Sequence, residues 1–439
     1  MKKISFFLIL SVFFLLLYVF YKSEIFYQGS KPHYYSPYYK ILFSSLICSI
    51  AIYFFPEKIR IYSLIIIFSI ILGGYAYEVF LTYKYYTKDK ISKTKEKIYF
   101  EKFGKKFDKR SIIEIYDDLK DEQYIVSADN VGYFLEQENE NLEFYPFAGV
   151  SNKKTILCNE NGYYSTYLSD RYGFNNPDKE WDNDEIEYLL LGDSFTQGSC
   201  VNRPFDIASN LRRLSKKPVI NLGMGGSGTL LEYAIYREYA PKKVKNVVLL
   251  FFDGNDVKDL KRELDSIILK KYLSDKNYSQ NLKEKQDQIN EKIIAHIKNK
   301  YNFISKNSKS EKNFENIIKL VKLYRTRLQI FKPVMKIPNE MEEILTSLRE
   351  ITTKNKSNFF IVYLYGHEKY SSMNYKAQNS IDIKYLAKKL DITLLDMDKL
   401  VFSKEKNPLN LFPFKMYGHY NAEGYQKISE AIFKSLKSF

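Results

Sequence analysis

The 439-residue sequence predicts an α/β protein whose parallel sheet is covered by helices on both faces, preceded by transmembrane helices. Two features predict it. From Ile186 onward, short apolar runs alternate with helix-like stretches. Before that, three long apolar runs crowd residues 1–83.

Those three runs are Ile4 to Tyr21, Ile41 to Phe55 and Ile61 to Tyr83. The first and third are long enough, as helices, to cross about 30 Å of hydrocarbon. The second reaches that length only with its Tyr and Lys flanks, which suit the membrane interface. A cleaved signal peptide is the competing reading of the first run, because Lys2 and Lys3 precede it. No small-x-small cleavage site comes after it, and two more apolar runs do, so anchoring is preferred. The topology signals conflict. Lys2 and Lys3 favour a cytoplasmic N-terminus, from which three crossings lead outside; the lysines after Tyr83 favour the reverse. Long domains are exported largely regardless of charge, so the expectation is an external catalytic domain.

Residues 84–185 form a second region. It opens with the lysine-rich stretch "KYYTKDKISKTKEK" and is expected to be a linker that packs onto the domain after it. Within it, "TILCNENGYYSTYLSD" has two β-prone runs around Asn-Glu-Asn-Gly, a hairpin signal. The third region, 186–439, carries the alternation. "IEYLLLGD", "PVINLG", "NVVLLFF", "NFFIVYLYG" and "ITLLDM" read as strands. "DIASNLRRLS", "TLLEYAIYREYA", "MEEILTSLREITTK", "YLAKKL" and "AEGYQKISEAIFKSL" read as helices. From about 260 to 332 the charged sequence reads as an inserted helical excursion or lid.

The formal charge of +15 comes from lysines scattered along the chain. No compact basic patch with interleaved aromatics stands out, so nucleic acid is not expected as a partner. Cys48 lies in the second apolar run, and Cys158 and Cys200 lie in the soluble part. No C-x-x-C supports a zinc or redox site, and spacing alone does not decide whether Cys158 and Cys200 pair. Neither a cofactor nor a metal is implied.

In open α/β sheets, ligands sit beyond the carboxyl ends of the strands. The first strand ends in "GDSFTQG" with Ser194, the second in "NLGMGGSG", and the third in "DGNDV" with Asn255. "YGHYNAEGY", with His419, precedes the last helix. A lone serine at a helix start is usually a cap, and a glycine loop usually only turns the chain. Together and in this order the sequence resembles the SGNH (GDSL-like) hydrolase family over roughly Ile186 to Phe439. The resemblance implies a flavodoxin-like three-layer α/β/α fold. It makes Ser194 the nucleophile and His419 the base, with an oxyanion hole from Ser194, Gly226 and Asn255.

The chemistry fits those roles. A serine hydroxyl needs a base within hydrogen-bond reach, and acyl transfer needs donors aimed at the developing oxyanion. Of the four histidines, His33 lies between membrane runs and His296 in the insert; His367 comes after the fourth strand. Only His419 has the G-H-x-N-x-x-G surroundings. One departure stands out. The family usually places an aspartate two or three residues before the histidine, where this chain has Tyr417 and Met416. The pattern therefore predicts a Ser–His dyad, with Asp396, Asp398 or a backbone carbonyl as candidates to orient the imidazole.

"SDRYGFNNP" looks like a block of membrane-linked relatives from bacterial envelope or polysaccharide contexts. It makes Asp170 and Arg171 candidates for substrate binding, against the reading of a structural turn. The leading expectation is a membrane-anchored esterase or O-acyl (acetyl) transferase. Its substrate would be an ester of an envelope glycan or lipid, met at the bacterial inner membrane, with polysaccharide machinery as a candidate partner. A Cys158–Cys200 disulfide would strengthen the external placement. The first alternative is an inactive scaffold that keeps the fold to bind carbohydrate. The second is a dinucleotide-binding oxidoreductase, because G-M-G-G-S-G matches G-x-G-x-x-G and Asp253 closes the next strand.

Overall fold

A computed structural model describes residues 1–29, 32–86, 89–122, 124–126, 134–135, 142–306, 317–330, 336–372, 375 and 378–437. The chain divides into two compact units. One holds residues 1–89 and 308–333, the other 90–307 and 334–439.

The first unit contains, among the described residues, three helices long and apolar enough to cross a membrane: Lys2–Phe26, Tyr34–Phe54 and Glu57–Lys84. Their large side chains point outward, with Phe14, Ile47 and Leu72 all exposed. An apolar exterior is what lipid requires and water opposes. The second helix starts upstream of its apolar run, at Pro32, which supplies the expected flanks. Glu78, inside the third helix, is fully buried. Its carboxylate accepts the backbone N–H groups of Arg325 at 3.0 Å and Thr326 at 2.7 Å. Glu78 thereby satisfies the orphan donors at the start of the helix Tyr324–Ile330.

The second unit is built on two sheets. The smaller comprises β1 (Tyr124–Val126), β2 (Lys154–Ile156) and β3 (Thr166–Leu168). Strands β2 and β3 form the expected antiparallel hairpin, with Thr155 opposite Tyr167. The larger comprises β4 (Ile186–Gly192), β5 (Val219–Asn221), β6 (Val244–Phe252), β7 (Asn358–Leu364) and β8 (Thr393–Asp396). All its pairs are parallel, and the strand order is β5-β4-β6-β7-β8. This is the flavodoxin-like order, and its direction of winding switches between β4 and β6.

Alternation along each strand fills two cores. Leu189 and Leu191 with Val247, Leu249 and Phe251 face one layer, which holds the helices Thr229–Tyr239 and Glu340–Lys354. Tyr188 and Leu190 with Val248 and Leu250 face the other, which holds the helices Ile207–Ser215 and Ala422–Leu436. Both helices of this second layer start on side-chain caps. Asp206 accepts the N–H of Ser209, and Asn421 accepts that of Gly424.

The expected insert does not behave as a lid. Its helices Ile267–Ser274 and Gln286–Lys306 bury Leu269, Tyr272, Ile289 and Ile293 in the first core. Residues 317–330 instead belong to the membrane-type unit. Residues 307–316 and 331–332 of the expected insert lie outside the described residues. The 84–185 region joins the same first core through Phe144, Tyr145, Phe147 and Phe174.

Candidate active site

Ser194 begins the short helix Ser194–Gln197, two residues beyond the end of β4. Asp193 caps that helix by accepting the Phe195 N–H at 2.9 Å. The tight exit from β4 requires Gly192, whose φ is +149°; a Cβ there would collide with Thr196 Oγ1 and lie 2.7 Å from the Leu250 carbonyl. Asn255 sits just past β6, at the start of the helix Asp256–Glu263. Ser194 and Asn255 thus flank the topological switch point, where such sheets form their ligand crevice.

His419 arrives from the far end of the chain. Tyr420 beside it is fully buried and donates to the Tyr365 carbonyl at 2.6 Å, anchoring the loop to the end of β7. The ring of Phe195 packs 4.6 Å from the imidazole. Ser194 Oγ and His419 Nε2 are 2.9 Å apart.

The imidazole's other nitrogen, Nδ1, lies 3.2 Å from Glu160 Oε1. The second carboxylate oxygen, Oε2, accepts the His419 backbone N–H at 2.6 Å. Glu160 therefore grips both ring and backbone, and its acceptor at Nδ1 assigns the proton there. Nε2 is then free to accept from serine. Gly418 makes room, since a Cβ there would stand 2.6 Å from Glu160 Oε2. Burial alone would push the Glu160 carboxyl up. Its hydrogen bonds to the His419 ring and backbone N–H, the pull of the imidazole and the Lys95 ammonium together hold it below the usual carboxylate range.

Glu160 hangs from the 157–165 loop between β2 and β3. Cys158 in this loop is disulfide-bonded to Cys200, just past the helix Ser194–Gln197. Asn159 donates to the Asp108 carbonyl at 2.8 Å and Asn161 to the Cys200 carbonyl at 2.8 Å. The loop is tied on both sides of its acid. Glu160, Cys200 and His419 cluster closely enough to invite a metal reading. A disulfide sulfur is no thiolate, however, and both imidazole nitrogens already have partners.

Nothing in the sequence singles out Glu160, and the residues expected to orient His419 do other work. Asp396 caps its own helix through the Asp398 N–H and pairs with Lys384 at 2.7 Å. Asp398 accepts from Tyr370 at 3.0 Å and pairs with Lys369 at 3.2 Å. Neither meets the imidazole, so a glutamate completes what the sequence predicts as a bare dyad. Asp170 and Arg171 are likewise structural and do not line the cleft. Asp170 is fully buried and accepts from Tyr172 N, Phe174 N, Asn176 Nδ2 and Trp181 Nε1. Arg171 pairs with Asp178 and Asp182, both at 2.7 Å.

Of the expected oxyanion donors, Ser194 and Asn255 line a cavity of about 250 Å³ together with Glu160, Phe252, His367 and Tyr417. Asn255 Nδ2 also donates to Asp259 at 2.6 Å, which fixes the amide. The glycine loop runs beside Ser194, where a Cβ on Gly225 would lie 3.6 Å from the serine Cβ. The Gly225 N–H is taken by Gln197 Oε1 at 3.0 Å. Gly226 is not among the residues lining the cavity, and its carbonyl accepts from Arg262. His367 lines the cavity but bonds to Ser371 and the Lys415 carbonyl. His296 is buried beside Phe134 in the core.

The loop that matches a dinucleotide fingerprint leaves β5, which among the described residues pairs only with β4 at the sheet edge and is not the first strand of its unit. Asp253, the acid that reading needs, accepts from Tyr363 and Tyr375.

The chain belongs to the GDSL-like lipase/acylhydrolase family, whose sequence profile matches residues 190–427, more than half of its length. No curated protein sequence matches it. Among solved structures, a G-D-S-L family lipolytic protein from Desulfitobacterium hafniense is similar at 14% identity. That match covers 57% of this chain and 100% of the other, with a TM-score of 0.31. The acetylxylan esterase Axe2 from Geobacillus stearothermophilus is 12% identical, covering 57% and 93%, with a TM-score of 0.31. The esterase EstA from Pseudoalteromonas is 10% identical, covering 58% and 98%, with a TM-score of 0.30.

Proposed function

We propose that this GDSL hydrolase is a membrane-anchored serine esterase that cleaves or transfers short acyl groups, acetyl foremost, on a neutral envelope glycan. The observation that carries the reading is the continuous chain Ser194 Oγ, His419 Nε2, His419 Nδ1, Glu160 Oε1, with contacts of 2.9 and 3.2 Å. Ser194 Oγ attacks the ester carbonyl while its proton passes to His419 Nε2. Glu160 stabilises the resulting imidazolium. The oxyanion is met by the Ser194 amide and the Asn255 side chain, which line the cavity. His419 then returns the proton to the departing alcohol, and water or a second hydroxyl reverses the steps on the acyl-enzyme.

The cavity supports a short acyl group. About 250 Å³ lies below the roughly 300 Å³ at which sites for drug-sized ligands begin. Among the described residues its lining includes Glu160 and Glu368 but neither Lys nor Arg, which disfavours an anionic substrate. Tyr417 stands 69% exposed at the rim and offers a ring face to a sugar. The Cys158–Cys200 disulfide supports an extracytoplasmic site, where such bonds persist.

The test uses the purified full chain with an acetyl-ester reporter and a fluorophosphonate probe. Turnover and labelling that vanish in Ser194→Ala are expected. A wild-type chain that neither labels nor hydrolyses any acetyl ester would favour the carbohydrate-binding scaffold.

A further inference from the structure

Residues 317–330 lie in the middle of the hydrolase sequence yet belong to the compact unit of the three apolar helices. The segment makes polar contacts to each of those helices. Lys322 Nζ reaches the hydroxyl of Tyr18 on the first, at 3.4 Å. Arg327 reaches the hydroxyl of Tyr38 on the second, at 3.0 Å. On the third, Tyr75 donates to the Val321 carbonyl at 2.9 Å, Arg325 reaches Thr82 at 3.3 Å, and Glu78 caps the helix Tyr324–Ile330. The close approach passes over Gly74, where a Cβ would lie 3.9 Å from Leu323.

These anchors share one end of the bundle. Tyr18 is near the end of the first helix, Tyr38 near the start of the second, and Tyr75 to Thr82 near the end of the third. In helices that cross back and forth, those positions fall on the same side of the membrane, the side on which the chain leaves the third helix. Tyrosines at a helix end mark the interfacial level.

The outer face of the segment is apolar. Ile317 and Val321 on one helical piece and Tyr324 and Leu328 on the next, joined by the turn at Lys322–Leu323, are 61%, 58%, 40% and 53% exposed. All four apolar side chains turn outward, while Thr326 is buried and the cations of Lys322, Arg325 and Arg327 reach tyrosines and Thr82. An apolar outer face with flanking cations is the pattern of a segment lying in the headgroup–acyl boundary.

We propose that residues 317–330 form an interfacial membrane arm. The hydrolase sequence returns to the bilayer here, laying Ile317, Val321, Tyr324 and Leu328 into lipid, with Glu78 as the latch. The occupant of these side chains is lipid because the segment is anchored to three helices that are themselves long and apolar enough to cross a membrane and expose large apolar side chains.

The test is quenching of tryptophan emission by bromine-labelled lipid, with the full chain reconstituted in vesicles. Val321→Trp and Leu328→Trp place an indole on the outer face at already exposed positions. The single native tryptophan, Trp181, serves as the internal reference. Leu72→Trp, on the outer face of the third helix, tests the membrane-spanning reading on which the arm rests. Loss of emission at 321 and 328 comparable to that at 72, with Trp181 unaffected, is the expected result. Loss at 72 alone overturns the arm; no loss at 72 overturns the spanning helices themselves. Combined with Val321→Trp, Glu78→Ala is expected to diminish the quenching while Glu78→Gln, which keeps one acceptor, retains it. Equal quenching in the two overturns the latch.

Discussion

Ser194 and Asn255 stand at the ends of the adjacent strands β4 and β6, whereas Glu160 hangs from a loop outside the main sheet. The sheet edge positions its residues by topology, with each strand delivering its last residues to one crevice. The hairpin loop positions its acid by tethers: the Cys158–Cys200 disulfide, the Asn159 and Asn161 bonds, and the room left at Gly418. The difference teaches that a carboxylate partner for the imidazole need not come from the loop that bears the histidine. It requires only that some rigid element reach Nδ1.

The comparison can be broken most severely from the sheet side. Ser194→Ala or His419→Ala is expected to lower kcat by about 10⁶-fold, measured with an acetyl-ester reporter. On the hairpin side, Glu160→Ala is expected to cost about 10⁴-fold, the scale of losing a triad carboxylate. Glu160→Asp should recover part of it. If Glu160→Ala keeps wild-type turnover, the tethered acid is ornamental and the bare dyad stands. Asn255→Ala, back at the sheet edge, should cost about 10²–10³-fold in kcat with little change in KM.

Removing only the tether sharpens the contrast. Cys158→Ser keeps Ser194, His419 and Glu160 chemically intact but unties the loop that carries Glu160, so a loss of up to about 10²-fold from misplacement is expected. Thermal unfolding should show a stability loss of about 4 kcal/mol for a closed loop of 42 residues. Full activity without the disulfide would leave the positioning of Glu160 to the asparagine bonds alone.

The smallest expected effect concerns pH, where the two regions have opposite signs. Behind the sheet edge, burial raises Asp193 to about 6 and Glu263 to about 7, despite the N–H groups each accepts. The folded chain there holds protons that the unfolded chain releases. Its stability is full below the usual carboxylate range and is lost as pH rises through those values. Glu160 is depressed, so its contribution is present above the usual carboxylate range and is lost only as pH falls through its lowered value. A melting temperature lower at pH 8 than at pH 5 is expected by scanning calorimetry. A rise across that window would contradict the assignment of Asp193 and Glu263.

The same contrast explains what the sequence reveals. Strands β4, β6 and β7 are buried on both faces, so they read as unbroken apolar runs and their ends identify Ser194 and Asn255. Glu160 is separated from His419 by 259 residues, and no local pattern reports such a contact. One indirect signal exists. Pairing Cys158 with Cys200 draws the acid two residues past Cys158 toward the nucleophile, but spacing alone does not dictate that pairing. Asp396 and Asp398 mislead because a carboxylate at a strand end looks like a site residue; Asp396 instead caps the short helix next to it. The Asp170 block is ambiguous in the same way, since a buried hub and a binding motif draw on the same polar residues. The insert reads as one element because its charge pattern is uniform, while its parts belong to different compact units.

Glu78 has a practical consequence for dissecting the molecule. Cutting the chain after the third apolar helix would not yield a soluble hydrolase, because the remainder still carries Ile317, Val321, Tyr324 and Leu328. It would also leave the Arg325 and Thr326 amides without their carboxylate. Such a fragment presents a sticky apolar strip and is expected to aggregate. A soluble form calls for excising two stretches, the N-terminal helices and the distant residues that depend on them.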